Sequence, residues 1–192
     1  MVRPAFQITT DRLRLLLPEP AEAPRVLRYF ADNREHLERW APPAPDDFYT
    51  VSFWERRLAR SIEEFAEDRS VRLFLYGRAD GRVIGSASYT EIVRGGFQAC
   101  YLGYGLGGSE QGKGLMTEAL RASLEWVFDE LGLHRVMANY MPTNARSGAL
   151  LRRLGFVPEG YARDYLYIDG AWRDHVLTAL INPRKQPGVA RA

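Results

Sequence analysis

The period of the apolar positions changes several times along the chain, and each change marks an element. Residues 12–17 (Arg12-Leu13-Arg14-Leu15-Leu16-Leu17) alternate and then run apolar until Pro18 and Pro20, which predicts a first strand. From Ala21 to Asn33, Ala23, Val26, Leu27 and Phe30 recur at helical spacing. Prolines 42, 43 and 45 predict a loop, after which Phe53, Trp54, Leu58, Ile62 and Phe65 form the apolar stripe of a second helix. Beyond Ser70 the period becomes two. Residues 71–78, 83–93 and 97–106 predict strands, and Asp80-Gly81 and Gly95-Gly96 are the turn signals of an antiparallel meander. A helix over 114–131 follows, with Leu115, Ala119, Leu120, Leu124, Val127, Phe128 and Leu131 on one side and Gly132 as its stop. Then come a strand at 134–140, a helix at 144–154 ended by Gly155, and strands at 161–168 and 172–181 around Asp169-Gly170. This order predicts an α+β domain, three layers α/β/α, and argues against a bundle or a sandwich. With no repeat and no long linker, residues 1–182 read as one domain and residues 183–192 as a short basic tail.

Composition narrows the function classes. The chain has 192 residues, 46% hydrophobic and 26% charged, with a formal net charge of +2. So small a charge rules out a protein that coats nucleic acid, though a local basic patch remains open. The single cysteine, Cys100, excludes an intramolecular disulfide framework and a cysteine-based zinc cluster. His36, His134 and His175 form no metal-binding pair on one helix face, so no metal is expected. The first residues lack a signal-peptide core, and no run of about 18 apolar residues occurs. A soluble cytoplasmic protein without a membrane partner is the expectation.

The chemistry concentrates in Gly103-Tyr104-Gly105-Leu106-Gly107-Gly108-Ser109-Glu110-Gln111-Gly112-Lys113-Gly114. Gly103, Gly105 and Gly108 match a dinucleotide fingerprint, but the helix starts too late and the preceding strands are a meander. Gly107 and Gly112-Lys113 match the Walker A spacing, yet Gly114 stands where a hydroxyl must ligate magnesium. What survives is the shared physics. A strand leads through glycines into an amphipathic helix, and bare N–H groups at a helix N-terminus bind a phosphate or diphosphate. A plain connecting turn, with Lys113 a solvated surface lysine, is the competing reading.

Further along, Met137-Ala138-Asn139-Tyr140-Met141-Pro142-Thr143-Asn144-Ala145-Arg146-Ser147 ends a strand and opens a helix that closes on Gly155-Phe156. Asn144 alone reads as an N-cap. Together with the anion loop, the arrangement resembles the GCN5-related N-acetyltransferase superfamily over nearly the whole chain. The loop is similar to its acetyl-CoA diphosphate motif, and Asn-x-x-Ser followed by Gly-Phe to its second cofactor motif. The stretches Ala99-Cys100-Tyr101-Leu102-Gly103-Tyr104, Gln111-Gly112-Lys113-Gly114-Leu115-Met116, Arg163-Asp164-Tyr165-Leu166 and Trp172-Arg173-Asp174-His175-Val176-Leu177 resemble the ribosomal-protein alanine N-acetyltransferases of the RimJ type.

That resemblance implies a mostly antiparallel mixed sheet whose strands 97–106 and 134–140 splay apart at the cofactor. It implies acetyl transfer from acetyl-CoA to an amine without a covalent enzyme intermediate. Tyr104, Gly105, Leu106, Gln111, Gly112, Lys113, Gly114, Leu115, Met116, Asn139, Asn144 and Ser147 are the implied cofactor-binding residues, with the Leu106 backbone N–H as oxyanion donor. Relatives often place a tyrosine near the leaving sulfur, four residues before the glycine of the second motif; here that position is Leu151. Ser147 is the available hydroxyl, against a competing role in capping. Where relatives often carry a glutamate base this chain has Tyr101, a poor base at its ordinary pKa; Glu91 and Glu118 are fallbacks with ordinary structural readings. The absence of an obvious base suits an α-amine, about a tenth neutral at pH 7, better than lysine. The acceptor site is expected among His36, Trp40, Tyr49, Tyr161, Tyr165 and Tyr167, with Tyr161, Arg163, Tyr165 and Tyr167 on one face by period two. The implied acceptor is the N-terminus of a protein, a small-subunit ribosomal one, with a possible ribosome contact through Arg184, Lys185 and Arg191. Acetylation of a small amine or antibiotic, or acetyl-CoA binding without turnover in ribosome assembly, are the alternatives, and monomer and homodimer both stay open.

Overall fold

Alternation and stripe translate directly into which side of each element is buried. A computed structural model describes residues 6–183. Strands β1 (Gln7–Thr9) and β2 (Leu13–Leu16) lead through a 3-10 turn at Pro20–Glu22 into α1 (Ala23–Asp32), the short α2 (Arg34–Glu38) and α3 (Val51–Ala66). The meander β3 (Val71–Gly77), β4 (Val83–Val93) and β5 (Ala99–Leu106) follows. After a second 3-10 turn at Gly108–Glu110 come α4 (Leu115–Asp129), β6 (Arg135–Tyr140), α5 (Ala145–Arg153), β7 (Val157–Ile168) and β8 (Ala171–Ile181). The strands form one sheet in the order β1-β2-β3-β4-β5-β6-β8-β7. Every pairing is antiparallel except β5 with β6.

Each face of the sheet buries one set of helices. Leu13, Leu15, Leu73, Leu75, Cys100 and Leu102 pack with Leu115, Ala119, Leu120 and Val127 of α4 and Leu151 of α5. On the opposite face Phe74 and Tyr76 pack with Val26 of α1 and Trp54 and Leu58 of α3. Phe30 stacks on Trp54 at 4.6 Å and ties α1 to α3. The α3 stripe also carries a buried carboxylate. Glu64, 7% exposed, receives Arg57 at 3.1 Å, Arg60 at 3.0 Å and Ser70 Oγ at 2.7 Å. Burial alone would raise its pKa, but the hydrogen bonds from Arg57 and Ser70 and the charges of Arg57 and Arg72 outweigh it and hold the carboxyl at about 2.

The architecture agrees with the three-layer expectation, and the differences are local. β1 and α2 are additional elements of three and five residues, too short to show a period. β7 begins at Val157 and not at residue 161, because Pro158 and a register shift before Gly160 break the alternation there. The tyrosine strand departs more seriously. Its register passes from Ala162↔His175 to Leu166↔Arg173, four residues advancing against two, with Asp164 at φ 47°. This bulge cancels the simple alternation. Tyr161 and Tyr167 share a face with Val176 and Trp172, whereas Tyr165 turns to the other face, against His175 at 5.3 Å.

Candidate active site

The parallel pair β5–β6 runs only from residues 99–101 opposite residues 135–137. Beyond Tyr101 and Met137 each strand keeps one partner. β5 stays with β4 as far as Gly85↔Leu106, and β6 stays with β8 as far as Tyr140↔Val176. The strands therefore part, and residues 102–106 present a free backbone edge to the gap. The Gly107 N–H bonds Ile84 O on β4 at 2.8 Å, so strand alternation turns the N–H and C=O groups of Tyr104 and Leu106 the other way, into the gap.

At the mouth of this gap α4 begins. Gly112 and Gly114 lie in the left-handed region at φ 77° and 76°, a conformation glycine adopts without strain. Gly114 is the N-cap and no side chain caps the helix. The first N–H to bond back is that of Glu118, to Gly114 O at 3.1 Å. The N–H groups of Leu115, Met116 and Thr117 thus face outward with the positive end of the helix dipole. A Cβ on Gly112 would meet nothing within 4 Å, so there is room beside the cradle. A diphosphate fits these donors.

Side chains around the loop brace it. Glu118 takes Thr10 Oγ1 at 2.6 Å, the Arg12 N–H at 2.8 Å and Arg12 Nε at 2.6 Å, and Arg12 also donates to Lys113 O at 2.9 Å. Burial pushes the Glu118 pKa up, but these bonds outweigh it and the net direction is down, so Glu118 is a charged anchor of the loop. Lys113 Nζ pairs with Glu110 at 2.9 Å. Gln111 spans the entrance: its Nε2 lies 2.9 Å from His36 Nε2 on α2, and its Oε1 accepts from Arg146 on α5. Arg146 and Asn33 carried no signal in the sequence beyond ordinary polar residues. Asn33 Oδ1 accepts the Gly108 N–H at 3.0 Å and so joins α1 to the loop.

Deeper in, Asn144 caps α5 by accepting the Ser147 N–H at 3.1 Å. That places Ser147 Oγ 2.7 Å from the Tyr104 hydroxyl. Burial pushes the Tyr104 pKa up to about 12, with Ser147 pulling the other way, so this hydroxyl pair remains protonated near neutrality. Leu151 is 1% exposed and belongs to the core. The Cys100 thiol is buried too; burial raises its pKa to about 12 against a smaller pull from Arg94, which leaves it a poor nucleophile.

On the other face of the parting strands, Asn139 Nδ2 donates to the Tyr165 hydroxyl at 3.1 Å. Burial raises the Tyr165 pKa, and nearby Tyr101 and Glu91 raise it further. Glu91 itself sits at φ 53° where β4 slips against β5. A cleft of about 600 Å³ is lined by Glu35, Glu38, Arg39, Trp40, Met141, Thr143, Asp169 and Arg173. Trp40 thus lines the cleft, and Tyr49 stands behind it, donating to Glu38 at 2.9 Å. His36 sits at the loop, apart from these residues. Tyr161, bonded to Asp174 at 2.6 Å, and Tyr167, against Trp172 at 5.8 Å, lie on the opposite face from Tyr165. A second cleft of about 660 Å³ beyond Gly107 is rimmed by charges that largely neutralise one another, Arg82 by Asp80 and Glu110, and Arg25 by Glu22.

Among the described residues no three His, Cys, Asp or Glu side chains are grouped to hold a metal ion, and no helix is long and apolar enough to cross a membrane. Strands that part beside an uncapped helix start leave room for an extended anionic ligand to lie along β5 with its negative charge at the start of α4. The profile of the acetyltransferase (GNAT) domain matches residues 12–157, and the chain belongs to that family. It is 48% identical to the [ribosomal protein uS5]-alanine N-acetyltransferase of Escherichia coli (strain K12) over 96% of this chain and 95% of the relative. The crystal structure of a ribosomal-protein-S5-alanine acetyltransferase from Vibrio fischeri superposes with a TM-score of 0.91 at 36% identity, over 95% of this chain and all of the other. That of Mycobacterium smegmatis RimJ in complex with CoA-disulfide gives 0.83 at 29% identity, over 93% and 85%. The protein is an acetyl-CoA-dependent N-acetyltransferase.

Proposed function

We propose that this enzyme acetylates the α-amine of an N-terminal alanine on a small-subunit ribosomal protein. The observation that carries the reading is the early end of the β5–β6 pairing beside the uncapped start of α4, in a chain so similar to the E. coli enzyme that acts on uS5. Acetyl-CoA supplies an activated acetyl thioester. The N–H groups of Leu115, Met116 and Thr117, with Gly112 and Gly114 shaping the turn and Gln111 and Lys113 at the rim, hold the diphosphate. Backbone groups of Tyr104 and Leu106 align the arm as an added strand would, and the Leu106 N–H donates toward the carbonyl oxygen where charge develops. Ser147, held in place by its Asn144 cap and backed by Tyr104, donates to the departing sulfur, a leaving group that resembles a thiolate of pKa about 8.5 and needs little help. The amine nitrogen forms the amide bond, the carbon–sulfur bond breaks with its electron pair leaving on sulfur as the CoA thiolate, and the amine proton is relayed past the hydroxyls of Tyr101 and Tyr165, beside Glu91, to solvent, which in turn protonates the thiolate.

The acceptor enters by the Trp40 cleft, lined by Glu35, Glu38 and Asp169 and by Arg39 and Arg173, where Glu38 also pairs with Arg34 and Asp169 with Arg173, so that the rim is polar and close to charge-balanced. Asn139 and Tyr165 orient it. The reaction takes place in the cytoplasm on one domain ending near residue 182, with a transient ribosome contact. The basic residues Arg184, Lys185 and Arg191 assigned to that contact lie outside the described residues. Incubation with acetyl-CoA and three acceptors tests the reading: a peptide starting with the alanine of the ribosomal protein, the same peptide blocked at its N-terminus but carrying lysine, and a polyamine. Mass increase on the first alone is expected. Thiol release with the polyamine alone replaces the acceptor class, and release with none makes the protein a binder without turnover.

A further inference from the structure

β5 is the fifth strand of eight, and one of its faces is fully covered. Cys100 and Leu102 pack under α4 and α5, and Tyr104 continues that row to Ser147. By alternation Tyr101, Gly103 and Gly105 point to the other face, the side of α1, α2 and α3. There the cover opens at one residue. Leu37 of α2 and Tyr29 of α1 close over Gly105, where an added Cβ would lie 3.4 Å from an atom of each. Tyr101 is half-buried beside Tyr165, which Asn139 holds at 3.1 Å. Between these two walls Gly103 is exposed, and a Cβ built on it would meet nothing within 4 Å.

Nothing in the fold asks for glycine at this position. Gly103 is not among the residues with positive φ, and it sits in an unbroken stretch of register opposite Ser88 on β4. Its N–H and C=O point to β4, by the same alternation that turns those of Tyr104 and Leu106 into the gap. Glycine inside a strand weakens it and often marks a place where a ligand approaches the backbone closely. Tyr101 and Gly105 stand about 13 Å apart along the strand, at roughly 3.3 Å per residue, so the opening between them takes one small residue. It adjoins the gap at Tyr104 on one side and the Tyr101 and Tyr165 hydroxyls on the other.

The geometry points to Gly103 as a specificity-determining residue: the bare backbone there receives the side chain of the acceptor's first residue, and its missing Cβ leaves the room that a methyl group fills. This rests on the N-terminal acceptor reading above and deepens it. Recognition of a small first residue is then achieved by an absent side chain on the floor of the site, with no polar group spent on it.

The test is Gly103→Ala, which puts a methyl group into the opening. The melting temperature is expected to equal or exceed that of the wild type, because the new Cβ meets no protein atom and the unfolded chain loses freedom. CoA affinity, read by calorimetry, stays as in the wild type, since the backbone groups of Tyr104 and Leu106 are untouched. Steady-state kcat/KM is measured on two peptides identical except for an alanine or a glycine at the first position. The alanine-to-glycine ratio should fall at least tenfold, the lower end of what one methyl group decides in an apolar pocket. An unchanged ratio, whether both rates hold or both fall together, overturns the assignment. So does a CoA affinity that falls as far as the rates, which would give the opening to the cosubstrate. A wild-type protein that binds CoA but acetylates neither peptide removes the acceptor reading beneath it.

Discussion

Gly85 offers a way to disturb the strand split from behind without touching any group in it. It lies on β4 opposite Leu106 and is not among the residues with positive φ, so alanine is conformationally acceptable there. Replacing glycine by alanine at such a position ordinarily stabilises by about 0.4–1 kcal/mol through the unfolded chain. Sterics point the other way. The new Cβ would stand 2.7 Å from the carbonyl oxygen of Gly105, 3.0 Å from Leu106 Cδ1 and 3.3 Å from Leu75 Cδ2, whereas ordinary contact begins at 3.4 Å. The missing distance, about 0.7 Å, must come from the backbone of β5, because a carbonyl oxygen cannot rotate aside as a side chain can. Overpacking of this kind costs about 1–3 kcal/mol, so the loss wins, by about 1–2 kcal/mol. For a domain of this size the melting temperature falls by about 2–8 °C. The same displacement carries along Leu106, whose backbone N–H and C=O face the gap, and misplacement approaching 1 Å costs on the order of a hundredfold in rate. For Gly85→Ala we expect lower stability, weaker CoA binding and at least a tenfold loss of kcat/KM on an alanine-starting peptide. Circular dichroism melting, calorimetry and steady-state rates measure the three. A variant as stable as the wild type with unaltered CoA affinity would refute the account of β4 pressing β5 into place.

Other consequences are quicker to check. Ser147→Ala should lower kcat by more than about threefold with little change in KM for acetyl-CoA; an unchanged kcat assigns Ser147 to the α5 start alone. Lys113→Glu should weaken CoA binding while leaving the fold intact; affinity equal to the wild type would show that Glu110 keeps the Lys113 ammonium away from the diphosphate. Glu64 has a folded pKa of about 2, below its ordinary 4.5, so its contribution is fully present above pH 4.5 and is lost as pH falls toward 2. The difference corresponds to on the order of 3 kcal/mol. Acid unfolding of Glu64→Gln should therefore begin from a less stable protein at neutral pH and show a shallower stability loss between about pH 5 and 2; parallel stability–pH curves would contradict it.

The parts of the fold visible in the sequence are those that repeat a period over many residues. The α3 and α4 stripes, the meander with its Asp80-Gly81 turn and the glycine-rich approach to α4 are local patterns, and the structure holds them at nearly the expected positions. Three-residue β1 and five-residue α2 are below the length at which a period can be read. The β7 bulge was hidden for a different reason. Nothing local in Tyr161 to Tyr167 announces that four residues will advance against two, since that depends on how β8 pairs with both neighbours. So an expected row of tyrosines becomes Tyr165 beside Asn139 on one face and Tyr161 and Tyr167 on the other.

The amino-acid sequence by itself determined the order of the longer elements, the glycine-rich approach to α4 and the family resemblance, because backbone conformation at glycines and burial of apolar stripes are properties of neighbouring residues. Only the tertiary structure decided where β5 and β6 part, that Ser147 meets Tyr104, that Glu118 anchors the loop, and that Arg146 reaches Gln111. Those contacts join segments far apart in the chain, and their geometry comes from how α1, α2 and α5 pack on a twisted sheet, which no local pattern encodes.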